Sequence, residues 1–290
     1  MKPTRLLGGL LLAALAFTTQ SVAAQTPDWT RPFPPFHIAG NLYYVGSEGL
    51  AAYIVATPQG LILINSNLES SIPQIRQSVE ALGFKFSDVK ILLISHAHWD
   101  HCAGSAEVIK ETGAKYYVMD ADVSVVESGG KTDFHYGAKD GSKFPPVHVD
   151  RTLHDGDTVS LGGTTLTAHL TAGHTKGTTT WTLDEVEGGR TLHVVIVGSP
   201  NVNDGYQLVN NKQYPKIAED YKHEFEVLKS LDCDVFLGAH GNYFGLLEKY
   251  PRWKNGDKDA FIDPAGYKAY IADRERAFEA ELARQKAGKQ

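Results

Sequence analysis

The chain has 290 residues, enough to bury a large core in one two-layered domain or two smaller ones. A hydrophobic fraction of 42% is ordinary for a globular protein, and a formal charge of -6 leaves no basic surplus for a nucleic-acid partner. The first residues read differently: Lys2 and Arg5 precede an apolar run over residues 6–17, followed by the small residues Ser21, Val22, Ala23 and Ala24. That order predicts a secretory signal peptide, residues 1–24, because the run is short for a membrane span and ends in a small-residue exit. Residues 25–290 are then expected as a single periplasmic domain without a membrane anchor. Losing two basic residues and no acidic ones takes its charge to about -8.

Two strand-like runs come first, residues 51–56 and 61–64, joined by the turn Thr57-Pro58-Gln59-Gly60. Ile72, Ile75, Val79 and Leu82 then recur at helical spacing, with Ser71 as the N-cap and Gly83 just past the end. A continuous apolar run over 91–94 leads directly into His96, and a helix is expected over 105–112. Residues 128–144 show no period and read as a long surface loop. Strands follow near 166–171, 179–183 and 193–197, then a helix over 217–231, a strand over 235–237 and a peripheral helix over 265–286. Two β-rich halves, each with helices, predict facing sheets with helices packed outside and loops free at one edge.

The segment Ser95-His96-Ala97-His98-Trp99-Asp100-His101 places three imidazoles and a carboxylate within six positions after a buried strand. Imidazole and carboxylate are zinc ligands, and alternate positions put His96 and His98 on one side. Asp100 and His101 are then free to face a second ion. Two more histidines follow strands in similar settings, in Thr171-Ala172-Gly173-His174-Thr175 and Gly238-Ala239-His240-Gly241. If those strands end at the same edge, His174 completes a three-histidine site with His96 and His98, and His240 joins Asp100 and His101. The other seven histidines carry no such pattern.

His96-Ala97-His98-Trp99-Asp100-His101, with His174 and His240 at these separations, resembles the signature of the metallo-β-lactamase superfamily. The resemblance implies an α+β fold, the αββα sandwich, and metal-dependent hydrolysis. Many members that act on other substrates carry a bridging aspartate, and some lactamases a cysteine ligand, where this chain has Gly198-Ser199. The ligand set therefore resembles subclass B3. Leu82-Gly83-Phe84-Lys85-Phe86-Ser87-Asp88, Gly129-Gly130-Lys131-Thr132-Asp133 and Gly173-His174-Thr175-Lys176-Gly177 are similar to its GOB-type branch, although that branch has glutamine where this chain has His96. Asn65 stands where many members have an aspartate that supports the metal loop from behind.

By that resemblance the chain hydrolyses the amide of β-lactam antibiotics and confers resistance to them, using two zinc ions per chain and a metal-bound hydroxide that Asp100 helps to orient. Ser199 and Asn201 are expected to bind the substrate carboxylate, and Trp99 and Tyr136 are candidates to line the cleft. No partner beyond the small-molecule substrate is expected, so the chain is expected to act as a monomer. A lactonase or thioesterase of the same fold is the alternative, and a non-catalytic zinc-binding protein a more distant one. Only two cysteines are present. Cys233 opens the strand that leads to His240, so about 20 Å of strand separates it from the metal motif that holds Cys102. A bridge needs Cα atoms within about 7 Å, and two free thiols are expected.

Overall fold

The computed structural model describes residues 28–288, so the expected signal peptide lies outside the described residues. The first sheet has seven strands in sequence order: β1 (Phe36–Ala39), β2 (Leu42–Tyr44), β3 (Tyr53–Thr57), β4 (Gly60–Ile64), β5 (Val89–Leu93), β6 (Lys115–Met119) and β7 (Arg151–Leu153). Its first four strands form an antiparallel meander, and β4 to β7 run parallel. Parallel neighbours need crossovers. These contain α1 (Ile72–Ala81), α2 (Trp99–Cys102), α3 (Ser105–Thr112) and α4 (Asp120–Glu127).

The second sheet comprises β8 (Thr158–Leu161), β9 (Thr164–Leu170), β10 (Thr179–Glu187), β11 (Arg190–Val197) and β12 (Val235–Gly238), in the order β12-β11-β10-β9-β8. A parallel crossover from β11 to β12 contains α5 (Ile217–Ser230), and α6 (Leu246–Lys254) and α7 (Pro264–Lys286) complete the chain.

Strand β4 shows why two sheets and two helical layers result. Its side chains alternate across the sheet: Ile62 and Ile64 join a core with Trp181, Val194 and Ile196 of the second sheet, while Leu61 and Leu63 join one with Ile75, Val79 and Val108 of α1 and α3. A strand covered on both faces reads as an unbroken apolar run, as this one does.

Two expectations need correction. Residues 128–144 form no simple surface loop: Asp133, Ser142 and Phe144 are buried, and the segment folds back toward the histidines. Nor is the last helix peripheral, because Tyr267, Ile271, Phe278 and Leu282 of α7 are buried against the second sheet and α5. Its many charged residues hid that stripe. Both cysteines are free thiols, Cys102 buried and Cys233 half-buried. Among the described residues no helix is long and apolar enough to cross a membrane.

Candidate metal centre

Parallel β4 and β5 end side by side, and the residue after one holds the loop after the other. Asn65 adopts φ 67°, a left-handed conformation that asparagine tolerates better than most residues. Its Oδ1 accepts from the Ser95 amide at 2.8 Å and its Nδ2 donates to the Ala51 carbonyl at 3.3 Å. The neutral amide thus fastens the start of the histidine segment to the sheet. His96 and His98 follow in the loop, and α2 carries Asp100 and His101.

His174 sits in the loop between β9 and β10. The preceding Gly173 has φ 150° and packs against the Tyr221 ring, where an added Cβ would lie 2.7 Å from ring carbons. Only glycine makes that approach. His240 directly follows Ala239 after β12, so four sheet ends converge on one edge.

A residue that sequence reasoning missed ties these loops together. Asp122, in the first turn of α4, is buried, and its carboxylate accepts from Ala97 N at 2.8 Å, Gly177 N at 2.9 Å and Thr175 Oγ1 at 2.8 Å. One side chain therefore joins the His96–His98 loop to the His174 loop. In the sequence it looks like any acidic residue opening a helix. Asp133 was also missed; its Oδ2 lies 3.7 Å from His98 Nε2.

Donor atoms of His96, His98 and His174 lie within 4.8 Å of one another, as do those of His96, Asp100 and His101. His240 Nε2 joins the second group at 3.1 Å from His101 Nε2 and 3.6 Å from Asp100 Oδ2. The structure thus brings together all six side chains picked out as ligands.

The tautomers point their lone pairs inward. His174 Nδ1 donates to the Asn201 carbonyl at 2.8 Å, which leaves Nε2 as an acceptor. It faces His98 Nδ1 at 3.1 Å, while the other His98 nitrogen faces Asp133. His96 Nε2 is buried without a hydrogen-bond partner. Burial first, and neighbouring imidazoles second, hold His96 and His174 well below the usual histidine range, His101 at about 3 and His240 at about 4. Neutral imidazoles whose ring nitrogens converge on one another suit a cation better than they suit one another.

A cleft of about 330 Å³ opens over these groups, with His98, Asp100, His174 and His240 exposed to it and Trp29, Trp99 and Tyr136 among its walls. Trp99 and Tyr136 pack edge to face, 5.1 Å between ring centroids. Asn201 lines the cleft, whereas Ser199 is fully buried, its Oγ 3.1 Å from the hydroxyl of Tyr243. Tyr243 itself lines the cleft and was not anticipated. No periodicity marks it.

Comparison with known proteins agrees with this geometry. Residues 48–240 match the metallo-beta-lactamase superfamily domain. Among solved structures, the native FEZ-1 metallo-beta-lactamase from Legionella gormanii is 55% identical, with a TM-score of 0.88, covering 90% of this chain and 98% of that one. The metallo-beta-lactamase GOB-18 from Elizabethkingia meningoseptica is 36% identical, with a TM-score of 0.84, covering 96% of this chain and all of the other. A curated relative, a probable metallo-hydrolase of Burkholderia pseudomallei, is 34% identical over 119 residues, which are 40% of this chain and only 37% of that protein. With its fold and its matched domain in agreement, the chain belongs to the metallo-β-lactamase superfamily.

Proposed function

We propose that this chain is a zinc-dependent, subclass B3 β-lactamase that hydrolyses the amide of penicillins, cephalosporins and carbapenems and so confers resistance. It acts in the periplasm as a monomer, a single domain over residues 25–290 after removal of residues 1–24. His96, His98 and His174 would hold one zinc ion, and Asp100, His101 and His240 a second. The 3.1 Å between His98 Nδ1 and His174 Nε2 supports zinc, whose nitrogen ligands at about 2.0–2.1 Å in a tetrahedron sit about 3.3 Å apart. Two zinc ions would supply a Lewis acid for the lactam carbonyl and a water acidic enough to ionise near neutral pH.

The chain's own groups do the rest. Asp100 accepts a hydrogen bond from the attacking water or hydroxide and so orients it toward the carbonyl carbon. The Asn201 carbonyl holds the His174 ring in one tautomer, and the Asp133 carboxylate faces the His98 ring from 3.7 Å. Trp29, Trp99 and Tyr136 cover the apolar part of the substrate and exclude bulk water. Ser199 and Asn201 belong to the polar floor that receives the substrate carboxylate. Strand β11 is followed by Gly198-Ser199, neither a carboxylate nor a thiol, which supports a lactamase over a lactonase or thioesterase.

The observation that carries this reading is a three-imidazole group beside an imidazole-carboxylate group at the floor of one cleft, in a chain 55% identical to FEZ-1 over nine-tenths of its length. The test is turnover by the zinc-loaded mature chain, followed by the loss of β-lactam absorbance. Penicillin and carbapenem hydrolysis should stop with chelator and fall more than about a hundredfold in His98→Ala. Preferred cleavage of a lactone or thioester, with the β-lactams untouched, would sink the proposal.

A further inference from the structure

Beneath the cleft, the hydrogen bonds of Tyr243 have a direction that follows from a residue outside it. Arg274, on α7, places Nη1 3.2 Å from Asn201 Oδ1. A guanidinium only donates, so the amide must turn its oxygen to Arg274 and its nitrogen to the other side. On that side Asn201 Nδ2 lies 2.6 Å from Tyr243 Oη and 3.5 Å from Ser199 Oγ. Ser199 is fully buried, and its hydroxyl has one acceptor in reach, Tyr243 Oη at 3.1 Å. Tyr243 Oη thus receives from Asn201 and from Ser199. Both lone pairs are then used, and its own proton is left for the cleft that it lines.

We infer that Tyr243 is the substrate-binding donor of this site, giving its hydroxyl hydrogen to the substrate carboxylate, with Arg274 as the positioning residue that sets the direction of the network. The inference rests on the β-lactam reading and names a group within that same site. It also assigns Ser199 and Asn201 a part: they act through the phenol. The ring is held for this task. It stacks on Tyr270 with centroids 5.2 Å apart and packs 5.0 Å from the His240 ring. Gly238 leaves the space it occupies, since a Cβ there would lie 2.9 Å from the Tyr243 ring. Arg274 in turn lies over the Tyr270 ring at 5.9 Å.

A hydrogen bond to a charged group is worth about tenfold or more in an equilibrium constant. Steady-state kinetics on the zinc-loaded enzyme should therefore compare benzylpenicillin with its methyl ester, with the zinc content of every variant checked. Tyr243→Phe is expected to raise KM for benzylpenicillin about tenfold and to shrink the preference for acid over ester by the same factor. Arg274→Gln should shift KM and that preference in the same direction by less, with recovery in Arg274→Lys. The double variant should add little to Tyr243→Phe, because both act on one network. Wild-type turnover with an unchanged acid-to-ester preference in Tyr243→Phe would overturn this inference alone. A wild-type enzyme inert toward both compounds would overturn it together with the β-lactam reading.

Discussion

Two buried carboxyl groups on the helices of this protein have opposite surroundings. Asp122 of α4 accepts three hydrogen bonds, two of them from backbone amides of different ligand loops. Glu224 of α5 is as deeply buried, yet among the described residues neither of its oxygens has a partner. Burial raises both above their ordinary values; at Asp122 the bonds from Thr175, Ala97 and Gly177 pull back, while at Glu224 nothing does. Burial alone therefore assigns no role. Converging donors mark a group that holds something in place, and their absence marks one that costs stability.

The largest effect should come from breaking the first of these. Asp122→Ala strands two buried amides, at about 1–3 kcal/mol for each orphan, and leaves the Thr175 hydroxyl with Thr178 Oγ1 at 2.9 Å as its partner. The two loops it joins carry His96, His98 and His174, so zinc affinity is expected to fall about 10–100-fold, the usual loss for a partner that orients ligands. Competition with a chromophoric chelator measures this directly. Unchanged affinity together with lower stability would reduce Asp122 to a scaffold residue.

Glu224→Leu should do the reverse. Removing an unpaired polar group from an apolar site is expected to stabilise the fold by about 1–3 kcal/mol, read as a higher denaturant midpoint, with zinc affinity unmoved. The gain should grow as pH rises above about 4.5, because the unfolded chain then ionises Glu224 while the folded chain resists. A destabilised variant would mean that the carboxyl makes bonds through interior water.

The same contrast explains what could be read from the sequence. The segment from His96 to His101 is legible because four candidate ligand side chains share one short stretch, and local spacing is enough to group them. His174 and His240 were legible only as companions to it. Asp122, Asp133 and Tyr243 were not, because their roles come from contacts across 25 to 55 positions, such as Asp122 with Ala97 and Gly177. The paired sheets followed from two β-rich halves that each carry helices. Strands β1, β2, β6, β7 and β8 were not anticipated, and β1, β2, β7 and β8 have only three or four residues, too few to show a period. In α7, charges on most faces masked the stripe of Tyr267, Ile271, Phe278 and Leu282.

Glu185 of β10 is the intermediate case and should give the smallest effect. Its Oε2 accepts from Asn41 N at 3.1 Å, and its Oε1 is buried without a partner. Gly40, at φ 55°, lets the β1–β2 turn come this close, since a Cβ there would overlap the carboxylate. Burial, with Glu187 adding to it, pushes the Glu185 carboxyl up to about 7 from 4.5. Between those values the unfolded chain releases a proton that the folded chain keeps. Stability contributed by Glu185 therefore falls as pH rises through this window and levels off above it. In Glu185→Gln that slope should flatten while activity and zinc affinity stay as they were, because the β1–β2 turn lies at the end of the sandwich away from the ligands. A slope that persists in Glu185→Gln and disappears in Glu224→Leu would assign the whole pH dependence to the group without partners, and one amide bond would then be enough to remove the cost of burying a carboxyl.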